Sequence, residues 1–173
     1  MTDETNRKVV EDYMTAWSNA DRSKLDRVLA DGFRFTNPPP GITPNKQGAI
    51  LMAEQYRTGF PDLKIRFDQW IVQGDNVAVR FHGSGTHKGE FMGVEPSNVK
   101  TETSGIAIVK VRDGKVIEDT TEFDALGLMT QIGAIPPLGE GSEVPEFTSA
   151  NRPNRPGRGN LEEERKVGGY RQT

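Results

Sequence analysis

Apolar residues open the chain at helical spacing. Val9, Val10, Tyr13, Met14 and Trp17 fall at i, i+1, i+4, i+5 and i+8, one stripe of an amphipathic helix over residues 5–19. Asn19-Ala20-Asp21 interrupts it, and Asp21 or Ser23 can cap a shorter helix through Leu25, Val28 and Leu29. Phe33 to Phe35 read as a short strand, ended by Asn37-Pro38-Pro39-Pro40-Gly41; three prolines in a row cannot donate to a ladder, so a rigid loop follows. A third helix opens at Thr43 or Asn45, carries Ile50, Ala53, Tyr56 and Arg57, and stops at Gly59 and Pro61.

From Leu63 the period changes to two. Leu63, Ile65 and Phe67 alternate with charged residues, Trp70 to Val72 continue the strand, and Gln73-Gly74-Asp75-Asn76 turns it back through Val77, Val79 and Phe81. A loop around His87-Lys88-Gly89-Glu90 and Pro96-Ser97-Asn98 leads to two long strands joined at Arg112-Asp113-Gly114-Lys115, where the Asp-Gly pair supplies the positive φ angles of a two-residue hairpin. Ala125–Ile135 closes as a short helix behind Asp124. Helices first and a twisted antiparallel sheet after them predict an α+β layer architecture.

Composition shifts beyond Gly139, where NRPNRPGRGN is rich in Pro, Gly, Asn and Arg. Such a segment buries too little apolar area to offset its ordering entropy. One domain over residues 1–138 and a largely disordered extension over 139–173 are therefore expected. The formal net charge is −3, and the domain is acidic with no basic stripe, which argues against nucleic acid as a partner. There are no cysteines, which removes thiol chemistry, and two histidines without a spacing partner make no metal site. No apolar run reaches 18 residues and the N-terminus has no apolar core, so neither a membrane span nor a secretory signal is expected; the expected location is cytoplasmic.

The unusual chemistry lies in the second central strand, where Glu118, Asp119, Thr120, Thr121 and Glu122 follow Val116 and Ile117. Acidic residues are poor strand formers on an ordinary surface. Along a strand deep in a sheet they point to one face looking into a polar cavity. Alternation puts Asp119 and Thr121 on the same face, with Glu118 and Glu122 on the other. A carboxylate in an apolar cavity has a raised pKa and can act as acid or base near neutral pH; the competing reading makes Asp119 a solvated residue or a partner of Arg80. Thr121 cannot serve as a base but can orient substrate or water. Tyr13 is a core tyrosine or a donor reaching the cavity. Asn37 is a turn residue or a cavity group, and Asp124 a helix cap or a substrate contact. Trp17, Met52, Tyr56, Phe60 and Phe91 read as cavity lining or core. His82 lies with Arg80 on the face opposite Val77, Val79 and Phe81, and His87 suits a structural hydrogen bond.

The segments AWSNAD, FPDL, GDNVAVRF, GTHKGEFMGVEP, VRDGKVIED and ALGLMTQIGAI, at their spacings over about residues 6–136, resemble the SnoaL-like polyketide cyclase family (ester cyclases) of the NTF2-like superfamily. The resemblance implies a curved antiparallel sheet wrapped around helices, enclosing a cavity. A curved antiparallel sheet covered by helices on one side leaves the other open, so a homodimer built on the outer face of the sheet is expected. In the polyketide cyclases an aspartate late in the final strand is the acid/base of ring closure; Thr121 stands at that position here, and Ala107 at that of a cavity histidine. In the related ketosteroid isomerases a first-helix tyrosine stabilises the oxyanion, and Tyr13 matches it; Asn37 occupies the place of their carboxylate base, and Thr36 that of a usual family histidine. The resulting expectation is a cofactor-independent enzyme of secondary metabolism that cyclises, isomerises or dehydrates a hydrophobic polyketide- or terpenoid-like substrate. Its catalytic groups would be Asp119, Tyr13 and Thr121, and its substrate contacts Trp17, Asn37, Met52, Tyr56, Phe60, Phe91 and Asp124. The alternatives are a non-catalytic binding or assembly protein on the same fold and an epoxide-hydrolase-type enzyme.

Overall fold

The computed structural model describes residues 2–137; the extension expected over 139–173 lies outside the described residues. The chain runs α1 (Asp3–Ser18), α2 (Arg22–Val28), β1 (Leu29–Phe35), α3 (Lys46–Gly59), β2 (Lys64–Gln73), β3 (Asn76–Thr86), β4 (Lys100–Arg112), β5 (Lys115–Phe123) and α4 (Ala125–Gln131). Each helix begins where a short polar side chain can take an unpaired backbone N–H. Thr2 accepts from Thr5, Asp21 from Lys24, Asn45 from Gly48 and Asp124 from Gly127.

The five strands form one curved, unclosed sheet in the order β1-β5-β4-β3-β2. β2 to β5 pair antiparallel, but β1 runs parallel to β5, so the sheet is mixed rather than purely antiparallel as the sequence suggested. The sequence of β1 does not encode that direction; it follows from α2 delivering the chain to the free edge of β5. β1 also starts four residues earlier than its apolar pattern implied, because Ala30, Asp31 and Gly32 belong to an edge strand without alternating burial. In β2 a bulge between Phe67 and Gln69 shifts the alternation by one residue. That is why Phe67 and Trp70, three apart, both turn inward, their rings 5.2 Å from each other. α4 ends at Gln131, short of Ile135, with Gly133 at φ +84° beyond it.

The hairpin between β4 and β5 is two residues long, with Asp113 at φ +50° and Gly114 at φ +74°, the backbone that the Asp-Gly pair anticipates. The pairing shifts by one residue between Lys110 and Val111, and the register beyond that shift sets the inner face. Val79, Ala107 and Thr121 lie across from one another, and Val109 lies opposite Asp119. α1 and α3 cover this face, and the core they make includes Val10, Leu25, Ile50, Ala53, Val77 and Val109, all 2% exposed or less. Among the described residues no helix covers Ile71, Ala78 and Ile108 on the opposite face, where they stand in one cross-strand row. No helix among the described residues is long and apolar enough to cross a membrane.

Candidate active site

Between α1, α3 and the inner face of the sheet lies a cleft of about 800 Å³, counted out to its mouth. Its walls are almost wholly apolar. Trp17, Met52 and Tyr56 of the anticipated set line it, together with Met14, Phe35, Leu63, Ile65, Phe81 and Phe123. Helical and strand periodicity had marked most of this second group as inward-facing without separating core from cavity wall.

The polar groups gather on the β5 side. Asp119 is only 6% exposed, yet both its carboxylate oxygens accept a hydrogen bond. The Tyr13 hydroxyl donates to Oδ2 at 2.6 Å and Thr121 Oγ1 donates to Oδ1 at 2.7 Å. α1 brings Tyr13 because it sits on the buried stripe facing β5, and strand alternation brings Thr121. Burial pushes the Asp119 carboxyl above its ordinary value, and the two donors pull it partly back. Tyr13 is held well above the usual tyrosine range by burial and by the carboxylate beside it, so it keeps its proton. Arg80 is exposed and takes no part; the partner of Asp119 is Tyr13.

Asn37 also lines the cleft, but it works as a splint. Its Nδ2 donates to the Thr121 carbonyl at 2.6 Å and to Glu122 Oε1 at 2.9 Å, while Oδ1 accepts from the Thr121 N–H at 3.3 Å. Thr36 continues the same seam, its N–H donating to the Asp119 carbonyl at 3.0 Å. These bonds extend the β1–β5 pairing past the end of β1 and fix the backbone that carries Asp119 and Thr121.

Three anticipated contacts fall elsewhere. Asp124 caps α4 with its side chain on the Gly127 N–H at 2.8 Å and is not part of the cleft wall. Phe60 and Phe91, both 2% exposed, stand behind Tyr56, with ring centroids 5.1 Å apart, and back the wall instead of forming it. The seat of Phe91 depends on Gly59, where a Cβ would come within 2.8 Å of the Phe91 Cβ. His87 is fully buried in the same region, its Nδ1 accepting from the Ser97 N–H at 3.2 Å. His82 faces outward, 2.9 Å from Asp68. Among the described residues no group of three or more His, Asp or Glu side chains is placed to hold a metal ion.

Helices laid on the inner face of a curved sheet, with an apolar cleft between them, define an NTF2-like α+β cone. An NTF2-like protein from Burkholderia xenovorans LB400 shares this fold at 19% identity, with a TM-score of 0.57 over 76% of this chain and 98% of that one. The chain belongs to the SnoaL-like polyketide cyclase family, whose sequence profile matches residues 7–132. A provisionally assigned SnoaL-like polyketide cyclase from Jannaschia sp. CCS1 is 28% identical, with a TM-score of 0.69 over 78% of this chain and 95% of that one. TsrD from Streptomyces laurentii is 25% identical, with a TM-score of 0.70 over 78% and 99%. No curated protein gives a significant match.

Proposed function

We propose that this chain is an enzyme of secondary metabolism that moves protons on a hydrophobic, oxygenated substrate of polyketide or terpenoid type, with Asp119 as general acid/base and no group beyond its own side chains. Family membership and the Jannaschia relative support the substrate class. The observation that carries the mechanism is the Asp119 carboxylate, buried at the polar end of an apolar cleft and held through both oxygens. Desolvation strengthens a carboxylate as a base. Tyr13 and Thr121 fix its orientation, and Asn37 fixes the strand beneath it.

Asp119 would take a proton from carbon next to a carbonyl. The C–H pair becomes the double bond of an enolate, and the carbonyl π pair moves to oxygen. The enolate then attacks an electrophile, expels a leaving group or is reprotonated elsewhere, giving cyclisation, dehydration or isomerisation. A minimal test needs no native substrate: deuterium exchange at C1 of 2-tetralone in D₂O, read by mass spectrometry. Wild type should accelerate exchange above free acetate, and Asp119→Asn should lose about 10²–10⁴-fold with an unchanged fold. Exchange at the wild-type rate in Asp119→Asn, or none in wild type, would sink the assignment.

A second reading is a ligand-binding protein on the same cone. It rests on Ala107 and Thr121, which stand opposite each other where the resemblance places a histidine and an aspartate. Under this reading 2-tetralone binds without exchange.

A further inference from the structure

The hydrogen bonds around the cleft separate donors already in use from those left over. The Tyr13 and Thr121 hydroxyl protons go to Asp119. The Asn37 amide goes to the β5 backbone and Glu122, and the Thr103 hydroxyl to the Asp124 carbonyl at 3.3 Å. Tyr56 is different. It lines the cleft from α3, is 7% exposed, and its hydroxyl has no partner among the described residues. The sealed side-chain atoms without a partner among the described residues are Asn6 Oδ1 and His87 Nε2. The Tyr56 hydroxyl is not one of them, and its side chain lines the cleft.

The ring is held by Phe91 (4.7 Å between centroids), Trp17 (5.2 Å) and Phe123 (6.3 Å), so its position is set by aromatic packing and not by its polar end. A mostly buried hydroxyl left unpaired is unfavourable. Keeping one in an apolar wall makes sense where an arriving acceptor will use it. Among the described residues no Lys, Arg or His lines the cleft, so none of these side chains would pair with a carboxylate or phosphate on a ligand.

We propose that Tyr56, and not Tyr13, donates the hydrogen bond to the substrate's carbonyl or enolate oxygen, and that the cleft selects neutral ketones or esters lying against its aromatic wall. This deepens the acid/base reading of Asp119 and rests on it. In the step above, Asp119 takes the α-proton and the charge arriving on oxygen meets the Tyr56 O–H. Burial holds the Tyr56 hydroxyl above its ordinary pKa, so it remains a donor throughout the working range. Tyr13, its proton committed to Asp119, is a positioning residue.

Binding of 2-tetralone and of its hydrocarbon counterpart tetralin to the full chain tests the assignment without any proton transfer. Tyr56→Phe keeps the ring packing and should weaken 2-tetralone relative to tetralin by about 3- to 10-fold. The carbonyl stretch of bound 2-tetralone, lowered in wild type, should return toward its value in hydrocarbon solvent. Tyr13→Phe should change the affinity ratio less than Tyr56→Phe does and should not return the stretch toward its value in hydrocarbon solvent. An unchanged ratio and stretch in Tyr56→Phe, transfer of the loss to Tyr13→Phe, or failure of wild type to bind 2-tetralone overturns the proposal. Should Tyr56→Phe not fold, 3-fluorotyrosine at position 56, a stronger donor of nearly equal size, should lower the stretch further, and no change refutes the assignment. Asp119→Asn distinguishes the two claims: if it still exchanges at the wild-type rate, the acid/base reading falls, whereas the tetralone–tetralin difference reports on Tyr56 alone.

Discussion

Opposed forces meet at Asp119, because burial favours its neutral form while Tyr13 and Thr121 favour the charged one. Removing one donor leaves the burial cost uncompensated. Tyr13→Phe should therefore raise the Asp119 pKa further. A base works only when ionised, so the exchange rate falls as pH drops through that pKa, and the acid limb in Tyr13→Phe should lie at higher pH than in wild type. A pH–rate profile with both limbs superimposed would show that the 2.6 Å contact does not tune the carboxylate. Stability runs in the opposite direction. A carboxyl whose folded pKa lies above its unfolded value of about 3.8 contributes stability below that value and loses it as pH rises through the folded pKa. Asp119→Asn removes the titration, so its melting temperature should change less than that of wild type between pH 4 and pH 8, as calorimetry can measure. Alternation alone placed Asp119 beside Thr121, and helical spacing alone turned Tyr13 inward. Their meeting spans 106 residues of sequence and depends on how α1 lies on the sheet.

Among the elements, α4 separates a structural from a functional reading of a carboxylate. Asp124 accepts from the Gly127 N–H at 2.8 Å, and a Cβ at Gly127 would collide with that carboxylate at 2.1 Å, so cap and glycine are fitted to each other. Asp124→Ala should cost about 1 kcal/mol, a few degrees in melting temperature, and leave 2-tetralone exchange unchanged. A selective loss of exchange would return Asp124 to the site. The turn of the β4–β5 hairpin was legible from Asp113-Gly114, but the one-residue shift in pairing between Lys110 and Val111, which sets the register of Asp119 and Thr121, was not. Nor was the β2 bulge. Phe67, Trp70, Ile71 and Val72 offer more apolar side chains than one face can take, and only pairing against β3 decides which of them turn inward.

At the scale of the described domain, α1 and α3 cover one sheet face, and no described helix covers the other. On that second face Ile71 is 61% exposed and Ile106 and Ile108 are 52% exposed. Ile71 and Ile108 flank Ala78 in one cross-strand row, and Ile106 is the next outward residue on β4. Arg80 lies across from Ile106, with Glu122 on its other side, so the apolar stripe is bordered by charges of both signs. Three large apolar side chains side by side on an antiparallel face favour association with a second copy about a two-fold axis. Sedimentation at micromolar concentration should give a homodimer, and Ile106→Lys with Ile108→Lys should give a folded monomer. A wild-type monomer under those conditions would contradict the expectation.

By itself the sequence determined the order of the elements, the Asp124 cap, the central hairpin turn and the inward face of most strands. These are local consequences of period, turn chemistry and capping, each settled within a few neighbouring residues. It also marked Asp119 as the anomalous carboxylate, because a buried strand position tolerates an acid only with partners. Tertiary structure decided what those partners are, the parallel course of β1 beside β5, and the division of one set of aromatic residues into a wall with Tyr56 and a backing with Phe60 and Phe91. It also decided which hydroxyls are spent and which remains available. Those outcomes depend on distances between segments far apart in the chain, and the same amphipathic pattern is compatible with several ways of laying a helix across a sheet.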